Sequence, residues 1–580
     1  MNRAAVLASV VVLALLSLLP MSRTVAESFL DRSGGETHVT LRWYDEAFVS
    51  GPPRPAADEA TTQETPATRP VAARWRLLGN SVVISGIAVL VALLLGVPYA
   101  LVIARTDAPW RGFLGALYVA PLVLPPLLVA FAWTFLPGFE PPRQLVAQEP
   151  SAWGGALAAL RAGFLLGLCH FPIVVLFARR ALARVPASLE EAARLAGGPW
   201  RALRHVTLPL ASPGILVGSL FVFLFALNDF SLVDYLNFVR PTADRISVYP
   251  FESFTAWSKS QGESVATALG APLALLGVGL LFVIGRLVGR EPRATVTGEH
   301  RDPTPWLLGR WRWPAAAGGV VLVALAAGLP VVGLLHEATK VPHTIAGAES
   351  ARTWADTFRD VWQLRVGPGT ASNEILWTLW FAVGAAVLAV PLAFVIGHHA
   401  ARTGKLRWMA LSILPLAVPP IFLGAGYLRL LNTDALSFGG RNPFLDLDGP
   451  RLGSMLLILA KYVPFAIAAA WAAFLEIDPR LEEAAATAGV KPLDRALKIL
   501  VPLAKPALVL GFLLVFVLAL REIDTIVLVS SDTVMRRIYT MVHYQRDAEV
   551  AALCIILVVM ELLAFALFAL LVPRPKTARA

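Results

Sequence analysis

The sequence predicts an all-α polytopic membrane protein of about twelve transmembrane helices, built as two parallel six-helix repeats. Three observations predict it. Of the 580 residues, 57% are hydrophobic and only 16% charged, with a mean hydropathy of +0.65. Soluble chains carry roughly 25% charged residues, so this composition fits lipid as the solvent. Apolar runs of about 18 residues or more recur along the whole length, each long enough to cross a bilayer. Finally, the chain repeats itself at an offset of about 293 residues.

The expected spans are 4–21, 81–104, 112–136, 156–178, 213–236, 265–285, 314–335, 375–397, 408–430, 453–474, 506–529 and 549–572. Short loops between them sort by charge. Residues 179–212 hold six arginines and 286–312 another six, whereas 137–152 carry Arg143 alone. By the positive-inside rule the basic loops and both termini lie in the cytoplasm. The net charge of +10 is thus a topology signal and not a nucleic-acid footprint. The start of the chain, Met1-Asn2-Arg3 followed by an apolar core and Thr24-Val25-Ala26, also has the form of a signal peptide. Against cleavage stands 314–335, an internal span at the equivalent place in the second half.

The repeat is read from three pairs of segments. Pro121-Leu-Val-Leu-Pro125-Pro126 answers Pro415-Leu-Ala-Val-Pro419-Pro420, and Leu189-Glu190-Glu191-Ala192-Ala193 answers Leu481-Glu482-Glu483-Ala484-Ala485. Ala226-Leu227-Asn228-Asp229 answers Ala519-Leu520-Arg521-Glu522. Six spans per unit is an even number, so the halves share one orientation. The chain divides into a first half, 1–290, a cytoplasmic linker, 291–312, and a second half, 313–580. The proline pairs are expected to break their helices, and the two cysteines, Cys169 and Cys554, lie in apolar runs as small buried hydrophobes. No disulfide framework or metal motif can be built from them.

Two loops follow the fourth and tenth spans, at 189–210 and 481–503. Each opens with strong helix formers, stops at a glycine (Gly197, Gly489) and restarts at a proline (Pro199, Pro492). Each then meets Pro209 or Pro502, where the chain is expected to break before re-entering the membrane. The spacing predicts a helix–turn–helix on the cytoplasmic surface, with small alanines allowing close approach and a glutamate offering charge to a basic partner.

This pattern resembles the signature loop of binding-protein-dependent ATP-binding-cassette permeases, in a fused two-half form similar to the ferric iron importer branch. The second copy matches it at Glu483, Ala484, Ala485, Gly489, Ile499 and Pro502. The first copy, with Ala192, Ala193, Gly197 and Pro209, is one residue shorter from Glu191, so either Glu190 or Glu191 is the contacting carboxylate. The resemblance implies that both loops dock on a cytoplasmic ATPase, used as a dimer, and that an extracytoplasmic binding protein delivers the substrate. It also implies a multi-pass protein of a bacterial inner membrane that binds no cofactor itself, ATP and Mg being used by the partner. The segment from Arg521 to Leu553 looks most like ferric iron permeases; thiamine, aminoethylphosphonate and polyamine permeases share much of it.

Ionisable groups at membrane depth are costly and often mark a pathway. Asp229 and Glu522 hold matching places, with Arg521, Asp524, Asp234, His170 and Lys461 also at or near membrane depth. A pathway role and a structural one, such as an Arg521–Glu522 pair, are both open. No phosphate-binding GxxxxGK[ST] loop and no compact catalytic motif occurs, so the chain is read as a non-catalytic subunit without a metal site. The rival reading is a twelve-span secondary transporter, which has no use for two docking loops.

Overall fold

A computed structural model of the chain describes residues 3–31, 38–50, 71–135, 154–239, 246–258, 263–290, 305–339, 358–359, 361, 371–405, 407–433, 436, 442–444, 451–530, 532–544 and 546–571. Most of the linker (291–304), the stretch 51–70 and the loop containing Arg143 lie outside them.

Among the described residues, ten helices are long and apolar enough to cross a membrane. Two further pairs, Arg111–Val123 with Pro126–Thr134 and Arg407–Ala417 with Pro420–Leu431, are bent by 85° and 100°. Counting each pair as one span gives twelve. The bends fall on the proline pairs. Pro125 and Pro419 are extended (ψ 142° and 135°), and Pro126 and Pro420 begin the next helix. A proline forces its predecessor out of the helical region and gives up no needed N–H at the first helical position. The breaks expected at the proline pairs within 112–136 and 408–430 are therefore present.

The helices gather into two compact units. One comprises residues 51–255 and 276–340. Its core is the mutual packing of Val71–Arg105, Gly154–Ala183 and Leu208–Asn228. The helices Arg312–Val323 and Leu329–Glu337 join it, packing on Arg111–Leu117 and Pro126–Thr134. Trp110 and Trp313 meet there edge to face, with ring centroids 5.4 Å apart.

The other unit comprises residues 1–50, 256–275 and 341–580. Ala371–Thr403, Leu452–Glu476 and Val501–Leu520 form its core. Arg3–Glu27 lies against Pro420–Leu431, where the Thr24 hydroxyl donates to Phe422 O (3.1 Å) and Tyr427 OH donates to Leu16 O (2.7 Å). A short helix, Arg42–Phe48, seats Ala47 against Ala268 and Leu269.

The units do not follow the halves 1–290 and 313–580 read from the repeat. The first span of the first half packs with the second half's helices, and the 312–337 span packs with the first half's. Lipid-facing apolar helices have no hydrophobic preference among partners, so close packing and hydrogen bonds such as Tyr427–Leu16 choose for them.

Candidate functional site

Both expected helix–turn–helix loops are present. In the second, Pro479–Thr487 is capped by Asp478, whose carboxylate accepts from Arg480 N at 2.9 Å. It ends at Gly489, whose φ of 77° allows Gly489 N to reach Ala486 O and Val490 N to reach Ala485 O, each at 3.0 Å. These two bonds satisfy helix-terminal carbonyls in a turn that favours glycine. The chain restarts at Pro492.

In the first loop the helix Ala187–Ala202 is kinked, and the left-handed residue is Gly198 (φ 80°, ψ 174°). Gly197, the residue expected to end the helix, is extended at φ −168°. The missing residue in this copy puts Pro199 directly after the turn, so the turn closes one position later. Gly198 occupies a region open essentially to glycine alone. Gly198→Val and Gly489→Val are expected to cost roughly 1–3 kcal/mol of loop stability and to reduce recovery of the ATPase proposed below. Gly197→Ala requires only that the exposed Arg201 side chain swing aside and is expected to reduce recovery far less, and equal losses from all three would refute the assignment.

Pro209 and Pro502 do not break the chain. Each sits at the second position of a long helix, Leu208–Asn228 or Val501–Leu520, directly after a wide helical turn at Leu203–Thr207 or Ala496–Leu500. Proline cannot make the bond to the carbonyl four residues back, and the widened turn absorbs that loss. The helix therefore runs on from loop into membrane.

The two glutamates of each loop have separate places. Glu190 is buried, 1% exposed, whereas Glu191 is partly exposed. Glu190 is ion-paired with Arg105 at 3.2 Å and Arg194 at 2.6 Å, and it accepts the Trp306 indole N–H. Arg105 also donates to Leu182 O and, at 3.2 Å, to Val185 O. In the second loop Glu482 accepts from Arg402 Nε at 2.7 Å and pairs with His398 Nε2 at 2.9 Å. Arg402 donates to Phe474 O and Ile477 O, both at 3.0 Å. Arg105 and Arg402 thus do the same work. Each closes the end of the preceding helix and holds the first glutamate of the loop. Burial alone would raise the Glu482 pKa, but His398 and Arg402 hold it below the usual carboxylate value.

With Glu190 and Glu482 held beneath, the outer faces of the loops carry the rest. Glu483, Ala484 and Ala192 are exposed, Ala193 and Ala485 partly so. Leu195 is 92% and Trp200 72% exposed, a large apolar surface for a polar loop. The sequence reading missed the two arginines and Trp306. Its available signal was the repeated Ala-Arg-Thr at 104–106 and 401–403.

Asp229 and Glu522 also take matching roles. Each follows the end of a long helix and is buried. Asp229 Oδ1 accepts from Leu232 N at 3.0 Å, and Glu522 Oε1 from Thr525 N at 2.8 Å. Both carboxylates thereby satisfy a backbone N–H left without a helical partner by the break. Glu522 additionally accepts from Lys461 Nζ at 2.8 Å on both oxygens, and from Tyr462 OH. The ion partner of Glu522 is Lys461, not the adjacent Arg521 considered from sequence.

Comparison with known proteins accords with this geometry. The profile of the family "Binding-protein-dependent transport system inner membrane component" matches residues 88–297 and 389–577, one match in each half. The Molybdenum transport system permease protein ModB of Escherichia coli (strain K12) is 30% identical over 213 residues, which are 36% of this chain and 89% of that protein. The Probable ABC transporter permease protein y4fN of Sinorhizobium fredii is 26% identical over 473 residues, 78% of each chain. The Putative ferric transport system permease protein FbpB 1 of Haemophilus influenzae is 25% identical over 487 residues, 80% of this chain and 72% of that one. Matched in both of its repeats, the chain belongs to the family of binding-protein-dependent transport system inner membrane components, the multi-pass permeases of ATP-binding-cassette transporters.

Proposed function

We propose that this chain is the translocation subunit of an ATP-driven importer, with two docking loops for a separate ATPase dimer and a binding protein delivering substrate from outside. The single observation that carries this reading is the duplicated loop: the same arginine-anchored glutamate beneath, and the same Glu-Ala-Ala face outside, in each repeat. A carrier driven by an ion gradient has no use for such a pair. Both loops and both termini are assigned to the cytoplasm of a bacterial inner membrane, on the strength of the arginine-rich short loops.

For substrate, ferric iron is the first reading, because the relative so named parallels 80% of this chain. A molybdenum oxyanion is the second, because the molybdenum permease matches at 30% identity, although over 36% of the chain. Asp229, Arg521 and Glu522 are proposed to border the pathway. Titrating the cognate binding protein with Fe(III) and with molybdate separates the two substrates.

Docking is tested at Glu483. Glu483→Lys places a like charge against a basic cleft, and such juxtaposition costs several kcal/mol. The variant is expected to insert normally, to lose most copurifying ATPase and to lose uptake. Wild-type recovery and wild-type uptake together would sink the assignment.

A further inference from the structure

The two loops are anchored by different means. Beneath the second, Glu482 receives both of its side-chain partners, His398 and Arg402, from the single helix Ala371–Thr403. They stand four residues apart, on one face of that helix. Beneath the first, Arg105 again comes from the equivalent helix, Val71–Arg105, but four residues before it stands Leu101, which has no side-chain donor. A buried carboxylate needs its remaining lone pairs satisfied.

Trp306 supplies a further donor, to the same Glu190 oxygen that Arg194 reaches, from a segment far along the chain. Its indole N–H reaches Glu190, and its ring lies under the Arg194 guanidinium, 5.1 Å from carbon to centroid. The backbone around it is fixed as a short strand-like strap. Trp306 N donates to Arg105 O at 2.7 Å, Asp107 N to Trp306 O at 3.1 Å, and Leu308 N to Asp107 Oδ1 at 2.8 Å. Beyond Leu308 the chain makes one tight turn, Gly309–Trp311, and enters the helix Arg312–Val323.

We propose that Trp306 is a positioning residue for ATPase coupling: it ties the first docking loop to the helix that opens the second half. Force on that loop therefore passes into the Arg312–Val323 helix, whereas among the described residues the Glu482 side chain is held by Ala371–Thr403, the helix of its own half. The inference rests on the docking-loop reading and adds an asymmetry to it. The ring and the N–H of Trp306 act on two different partners, Arg194 and Glu190, so they can be separated.

The experiment uses the full-length chain, purified alone and with its ATPase. Trp306→Phe keeps the ring and deletes the N–H. A hydrogen bond to a charged group is worth enough that its loss should raise the open population of the loop roughly tenfold. Limited trypsin cutting of the chain alone at Arg194 and Arg201 is expected to accelerate by about that factor, with cutting at Arg480 and Arg495 unchanged. Introducing the second loop's arrangement, Leu101→His together with Trp306→Phe, is expected to restore slow cutting of the first loop. In the complex, Trp306→Phe is expected to keep ATP hydrolysis while binding-protein-dependent stimulation falls, and the double variant to recover it.

Unchanged cutting in Trp306→Phe would overturn the tie itself. Faster cutting at both loops would also overturn it, since that is what a general loss of stability produces. Faster cutting of the first loop with full stimulation would overturn the coupling role. Failure of the docking reading shows elsewhere, in Glu483→Lys retaining its ATPase.

Discussion

Lys461→Ala is expected to lower the unfolding free energy of the purified chain by about 3–5 kcal/mol, the usual result of removing one partner of a buried ion pair. Lys461 Nζ lies 2.8 Å from both Glu522 oxygens and 2.8 Å from Thr525 Oγ1, and the Glu522 side chain is only 3% exposed. Without the ammonium a carboxylate remains at membrane depth, where its charge is costly. The double variant Lys461→Met with Glu522→Gln is expected to recover most of the loss, because an amide oxygen can still accept from Thr525 N. Thermal unfolding in detergent checks both. A single variant as stable as wild type would mean that the pair does not hold this part of the fold. Uptake by the double variant then divides the two roles of Glu522. Retained flux assigns it to capping the helix break, whereas lost flux in a stable protein assigns it to the pathway.

Arg402→Ala is expected to cut uptake and ATPase recovery about tenfold or more, through the second loop, since hydrogen bonds to charged partners are among the costlier ones to lose. Three acceptors lose a donor at once: Glu482, Phe474 O and Ile477 O. Arg402→Lys keeps the charge but cannot present a planar fork to all three, so it is expected to recover only part of the function. The same anchor should respond to acid. The Glu482 pKa in the folded chain lies below its ordinary 4.5. Its contribution is therefore fully present above that value and is lost as pH falls through the lower, folded-state pKa. Amide hydrogen exchange in Pro479–Thr487 across this range reports the release. Normal uptake in Arg402→Ala would show that the arginine only closes the preceding helix.

The spans, the repeat and the outer faces of both loops were legible because each depends on local pattern: apolar length, recurrence, and glycine and proline placement. The shift of the turn from Gly197 to Gly198 was not, because a one-residue deletion can be absorbed at several positions. Nor was the continuity through Pro209 and Pro502, since the widened turn that tolerates them leaves no residue signature. The partners of Glu190 were hidden for a different reason. Arg105 and Trp306 lie 85 residues before it and 116 after it, and no spacing rule links them. Asp229 and Glu522 were found as a pair, but their bonds to Leu232 N and Thr525 N required the helix ends to be seen.

The packing of Arg3–Glu27 has a consequence for how the protein is made. A ribosome adds roughly 5–20 residues per second, and the Pro420–Leu431 helix follows Glu27 by about 400 residues. The first helix must therefore remain in the bilayer for roughly 20–80 s before its packing partners have been synthesised. Ser9 and Ser17, both buried in the finished protein, face lipid or a chaperone during that interval. Biogenesis, more than the final fold, is where this helix is vulnerable, and a longer pause in translation between residues 27 and 420 should lower the yield of assembled protein without changing the stability of what survives.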